Sequence, residues 1–160
     1  SRVPGGMQVA RTYAVVNQKG GVAKTTTAVN LAACAALDDH SVLLVDADPQ
    51  ANATSGLGVD RHQLEYCLYD LITRPDGVSS PAVDEVIVAT STPNLDLLPA
   101  TLDLAGAQLE LASVIARERR LKRVLDPIRD LYDFIFIDTA PSLGLLTINA
   151  LAAADQVLGF

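Results

Sequence analysis

Apolar positions along the chain fall into short continuous runs that alternate with longer stretches of helical spacing. Residues 12–17, TYAVVN, are apolar and rich in β-formers, which predicts a buried strand. The glycine pair Gly20 and Gly21 follows, and then a helical stretch over residues 24–37 carrying Val29, Leu31, Ala32, Ala35 and Ala36. Its three threonines suit a first turn better than a helix middle. Residues 42–45 are continuously apolar, as expected for a central parallel strand covered on both faces. Asp46 and Asp48 stand at its C-terminal end, and Pro49 stops it. Residues 50–60, QANATSGLGVD, are small, polar and glycine-containing, which predicts a mobile loop.

The same alternation continues. Residues 64–72 predict a helix, and 73–81 a turn-rich connection. Residues 83–89 and 95–98 predict strands. Residues 103–114 and 115–131 predict helices, the second ending or kinking early at Pro127. Residues 134–137 predict an apolar strand that ends at Asp138. Pro141 and Gly144 mark a loop, 145–154 a helix, and 156–160 the start of a further strand. Strands alternating with helices, with acids at strand ends, predict an α/β fold with a doubly wound, mostly parallel sheet. Residues 1–11 read as an N-terminal extension, with Met7 as the natural start and the residues before it an artificial addition. Residues 12–160 read as one domain. A parallel sheet needs both faces covered, so the expectation is that its C-terminal part is absent.

Composition narrows the classes. An apolar share of 49% over 160 residues supports a real core and argues against disorder. Net charge is −7, which argues against an all-round nucleic-acid surface but leaves room for a local patch at Arg117, Arg119, Arg120, Lys122 and Arg123. The other reading of that run is the solvated face of a helix. Cys34 and Cys67 lie in predicted helices among apolar residues and read as buried, reduced side chains without metal-ligand spacing. His40 and His62 have no ligand-like neighbours in sequence. No apolar run reaches the roughly 18–20 residues of a membrane span, and the N-terminus lacks an apolar signal core, so the expected location is the cytoplasm.

The chemistry concentrates at NQKGGVAKTTT, residues 17–27. Aligned on Lys24, the usual Gly-x4-Gly-Lys-Thr/Ser phosphate loop places Gln18 and Ala23 on its two glycine positions. A strict motif fails, yet the order of strand, glycine turn, lysine, hydroxyl and helix fits. Backbone N–H groups of Gly20, Gly21, Val22, Ala23, Lys24 and Thr25 would cradle phosphate oxygens. Lys24 would neutralise the β and γ phosphates, and the Thr25 hydroxyl would ligate Mg²⁺. The alternative is a glycine turn with no ligand. Asp138, after FIFI, fits the magnesium-side aspartate of phosphate-loop enzymes, or else an ordinary strand-end cap. Asp46 and Asp48, one residue apart, would face the same side of an ideal strand. One would orient Mg²⁺ or its water and the other the attacking water, unless the pair only caps a helix or forms a turn.

Four segments together, NQKGGVAKTTTAVNLAA, VLLVDADPQANATSGLG, LDLLPATLDLAGAQLEL and YDFIFIDTAPSLGLLTINAL, resemble the ParA/Soj family of chromosome- and plasmid-partitioning ATPases over about residues 12–157. The resemblance implies a P-loop NTPase fold with a deviant loop carrying a second lysine. Lys19 matches that signature lysine, which reaches the partner's phosphates across a nucleotide-sandwich homodimer. Gly20 matches a point of close monomer approach, Lys24 the phosphate lysine, Thr25 the magnesium hydroxyl, and Thr26 a neighbour of the α phosphate. Asp48 matches the aspartate needed for hydrolysis, Asp46 the preceding strand-end acid, Asp138 the magnesium-side acid, and residues 139–144 the second switch. ATP and Mg²⁺ are the implied cofactors. The implied partners are a second copy when ATP is bound, nonspecific DNA held through the absent C-terminal part, and a ParB-like centromere-binding protein. No stable membrane contact is expected, and the implied location is on the nucleoid.

Ala23 stands where the family has glycine, and Ala51 and Ala140 stand where it commonly has Gly and Pro. A methyl at residue 23 fits if the backbone there is already right-handed helical, and crowds the phosphates otherwise. Three other readings stay open. One is a MinD-like positioning ATPase, which needs an amphipathic C-terminal helix. Another is an iron–sulfur reductase component, which the cysteine placement disfavours. The last is a non-hydrolysing nucleotide-binding scaffold. The DPQANATSGLG segment favours the partitioning branch.

Overall fold

The computed structural model of the chain describes residues 10–16, 22–74, 79–141 and 144–159, with the backbone alone at 22–24 and 108. The elements run β1 (Arg11–Val16), α1 (Val22–Leu37), β2 (Val42–Ala47), α2 (Asn52–Gly56), α3 (Leu68–Ile72), α4 (Val83–Val86), β3 (Val88–Ala89), β4 (Leu95–Leu98), α5 (Ala107–Leu111), α6 (Arg120–Leu125), β5 (Phe134–Thr139), α7 (Leu145–Ala153) and β6 (Gln156–Gly159). Short 3₁₀ turns fill several of the connections.

The six strands form one sheet in the order β3-β4-β2-β5-β1-β6, parallel except for the antiparallel β3–β4 pair. All six residues of β2 are buried, because helices cover both faces of this central strand. Leu43, Val45, Ile135 and Ile137 point to one face and pack with α7, α6 and α3. Val42, Leu44 and Phe136 point to the other and meet Ala28, Ala32 and Ala36 of α1. These alanines recur every four residues, so one side of α1 is a stripe of methyl groups that lets its backbone lie close to the sheet. The sheet is doubly wound, as the pattern predicts.

The chain leaves β1 through α1 toward β2, and leaves β5 through α7 toward β6, in opposite directions across the sheet. The C-terminal ends of β1 and β5 therefore flank the point where the winding reverses, the usual place for a ligand in an open α/β sheet.

Several predicted elements differ from those observed. Residues 50–60 are not simply a loop: they contain α2, with Ala53 and Thr54 buried. Residues 83–89 are mostly a helical turn, because the Glu85 carboxylate accepts from the Ala82 N–H at 2.8 Å and starts α4; only Val88 and Ala89 pair as a strand. The helix expected over 64–72 begins at Leu68, where Asp70 accepts from the Cys67 N–H at 2.9 Å. The two helices expected over 103–131 are broken into shorter turns. Ala116 takes a left-handed φ of 55° between them, and Pro127, which cannot donate to the helical ladder, turns the end of α6 into a 3₁₀ segment.

Cys67 is buried as expected, but Cys34 is exposed. It lies two residues beyond Ala32, about 200° round the helix, and so points away from the sheet. The basic run is not one surface. Arg120 is buried, donating through Nε to Ile72 O at 3.2 Å and through a guanidinium nitrogen to Arg74 O at 2.6 Å. It holds α6 against the end of α3. Lys122 pairs with Asp126 at 3.0 Å, leaving Arg117, Arg119 and Arg123 as the exposed arginines. Among the described residues no helix is long and apolar enough to cross a membrane.

Candidate phosphate and cation site

Thr25 sits in the first turns of α1, which begins at Val22. The residue is 7% exposed and its hydroxyl donates to Asp138 Oδ2 at 2.9 Å, joining residues 113 positions apart. Asp138 is fully buried near the end of β5, paired in register with Val15 of β1 on one side and Asp46 of β2 on the other. The next residue, Thr139, donates to Val15 O at 2.8 Å and ties the ends of β5 and β1 together. A hydroxyl and a carboxylate so placed form an all-oxygen donor pair. That suits a small hard cation which keeps most of its waters and takes further oxygens from phosphate. Among the described residues no cluster of three or more acidic, His or Cys side chains could hold a metal by itself, and this type of binding does not need one.

Asp46 is also fully buried, and its oxygens are taken up by protein donors. Oδ1 accepts the Asp48 N–H at 3.1 Å, and Oδ2 accepts both the N–H and the hydroxyl of Thr54, at 2.9 and 2.7 Å. Burial drives its pKa up from the carboxylate range to about 7, and the neighbouring Asp138 charge pushes the same way, against the lowering effect of the Thr54 and Asp48 hydrogen bonds.

Asp48 follows β2 and is 5% exposed, with Oδ1 accepting the Gln50 N–H at 2.9 Å. The chain then turns through Ala51, whose φ of 56° is left-handed and whose N–H donates to Asp48 O at 2.9 Å. A side chain in that conformation costs about 1–2 kcal/mol, which glycine avoids. Between α1 and α2 opens a cleft of about 380 Å³ lined by Thr25, Thr26, Val29, Asn30, Asn52 and Gly56.

Of the residues singled out in the sequence, Thr25, Asp138, Asp46 and Asp48 converge on the C-terminal ends of β5 and β2, and Thr26 is exposed beside the cleft. Lys19, Gly20 and Gly21 lie outside the described residues. Val22, Ala23 and Lys24 occupy the start of α1, and their side chains lie outside the description too. In the 139–144 segment, Ser142 and Leu143 are also outside it. Sequence reasoning missed Thr54. A threonine in a small, polar stretch carries no sign that it is buried, and its partners lie eight residues before it and 46 after.

A family model described as an AAA domain matches residues 10–159. The chain is 53% identical over 150 residues to the sporulation initiation inhibitor protein Soj of Bacillus subtilis strain 168, covering 94% of this chain and 57% of that protein. It is 47% identical over 150 residues to the chromosome partitioning protein ParA of Myxococcus xanthus, covering 94% of this chain and 51% of that one. It therefore spans little more than half the length of these relatives. Among solved structures it resembles a cobyrinic acid a,c-diamide synthase from Mycobacterium smegmatis crystallised with an ATP analogue and magnesium. The TM-score is 0.87 and the identity 40%, over 94% of this chain and 59% of that one. With these matches the chain belongs to the AAA-domain family and, by its likeness to Soj and ParA, to the ParA/Soj group within it.

Proposed function

We propose that this chain is the nucleotide-binding portion of an ATP-hydrolysing switch that partitions DNA. The observation that carries the reading is the Thr25 hydroxyl 2.9 Å from the Asp138 carboxylate, at the winding reversal and at the start of α1. Support comes from the 53% identity to Soj, the 47% identity to ParA, and the bound ATP analogue and magnesium in the similar synthase.

In this reading Thr25 and Asp138 hold Mg²⁺, which when bound neutralises charge on the β and γ phosphates. Backbone N–H groups of residues 20–25 and the Lys24 ammonium hold the phosphate oxygens, with Thr26 beside the α phosphate. Asp48 positions the water that attacks the γ phosphorus as the bond to the β-phosphate oxygen breaks. Asp46, whose oxygens already accept from Asp48 and Thr54, acts by orienting that segment rather than as a direct ligand. Lys19 reaches the phosphates of a second copy, so ATP favours a sandwich dimer and hydrolysis releases it. The dimer binds DNA nonspecifically on the nucleoid, and a centromere-binding protein of the ParB kind triggers release.

The likeness to the synthase favours a second reading, in which the same phosphate site drives amide formation. The full-length protein separates the two. Retention on nonspecific DNA that requires ATP supports the partitioning switch. ATP turnover that requires cobyrinic acid supports the synthase.

A further inference from the structure

We propose that Thr54 is a positioning residue for the hydrolytic step, acting through Asp46 on the segment that carries Asp48. The inference rests on the reading of the site as one that hydrolyses ATP. Thr54 is fully buried on α2, and three of its hydrogen bonds are to the strand ends around the site. Its N–H and hydroxyl both donate to Asp46 Oδ2, at 2.9 and 2.7 Å, and the same hydroxyl accepts the Ala100 N–H at 3.0 Å. Asp46 Oδ1 meanwhile accepts the Asp48 N–H. One buried carboxylate thus clamps both ends of the 48–54 connection, and the Thr54 hydroxyl extends the clamp to the residues that follow β4.

Inside the clamp the path is fixed by the Gln50 N–H on Asp48 Oδ1, by the Ala51 N–H on Asp48 O, and by the left-handed Ala51. The Asp48 side chain has little freedom left while this ring is closed. Removing the Thr54 hydroxyl takes the stronger donor from Asp46 Oδ2 and leaves the buried Ala100 N–H without its acceptor. The ring then opens at its Thr54 end, and the Thr25–Asp138 hydrogen bond is not among the contacts removed. Attack geometry is affected while the donors to phosphate and cation stay in place, so turnover falls and nucleotide affinity does not.

The test compares Thr54→Val, which keeps the shape and loses the hydroxyl, with Thr54→Ser, which keeps the hydroxyl, in the full-length protein with ATP and magnesium. The expected result is a kcat at least tenfold lower for T54V, a KM within threefold of the parent, and kcat restored to within about threefold in T54S. A T54V kcat within twofold of the parent overturns the proposal, as does a parallel loss of affinity and turnover in both variants. Amide exchange over residues 48–56, measured alongside, is expected to quicken in T54V and not in T54S; unchanged protection also overturns it. If T54V does not fold, the same measurements on Thr54→Ala decide. A parent protein that releases no phosphate from ATP would sink the ATPase reading instead, and the exchange measurement would still judge the clamp.

Discussion

Thr25 and Asp138 meet through a 2.9 Å hydrogen bond between a helix start and a strand end that lie 113 residues apart in sequence. The contact joins α1 to β5 where α1 follows β1, and in the proposed function it is the cation site. Thr25→Ala removes one oxygen of the pair while Thr25→Ser keeps it. We expect the alanine variant of the full-length protein to lose about 10–100-fold in nucleotide affinity in the presence of magnesium, with little change in its absence. Calorimetric titration with and without magnesium reads this directly, and the serine variant should bind like the parent.

Asp48 has the opposite signature. It lies beyond β2, held by Gln50 and Asp46, and in the proposed mechanism it positions water rather than phosphate. Asp48→Ala should lower phosphate release by about 100-fold or more while nucleotide binding persists. A variant that turned over normally would remove Asp48 from the mechanism.

Ala23 lies in the second position of α1, so its backbone is already right-handed helical and a methyl group there carries no dihedral strain. Ala23→Gly should therefore leave nucleotide affinity within about threefold of the parent. Thermal unfolding should show a loss of up to about 1 kcal/mol, the propensity difference between alanine and glycine in a helix. A tenfold gain in affinity would mean that the methyl does crowd the phosphates.

Far from the site, the Tyr132 hydroxyl donates to Asp96 at 2.8 Å, linking the approach to β5 with β4. Burial raises the phenol above its ordinary value, and the Asp96 carboxylate raises it further. A folded-state pKa raised above the unfolded one gives stability that is fully present below about pH 10 and is lost as pH rises beyond it. Tyr132→Phe should cost about 1–2 kcal/mol in denaturant unfolding at neutral pH. The gap between parent and variant should close as the pH is raised above 10.

The strands and the acids at their ends were legible because both follow from local rules. TYAVVN, VLLV and FIFI are apolar runs that belong in a sheet covered on both faces, and the acid ending each of the last two points to the ligand side of the fold. What the pattern hid depends on contacts distant in sequence or on single capping groups. α4 replaces a predicted strand because of one glutamate–amide contact, and the basic run loses Arg120 to carbonyls of residues 72 and 74. α2 replaces part of a predicted loop because Asp46 captures Thr54, a pairing that no periodicity announces.

The central claim is that Thr25 and Asp138 form the magnesium side of an ATP-hydrolysing site. Phosphate release by the full-length protein, with ATP, with and without magnesium, for the parent and for Asp138→Asn, tests it most directly. The expected result is slow release that needs magnesium and falls at least tenfold in D138N. Release that continues without magnesium, or that is unchanged in D138N, would contradict it.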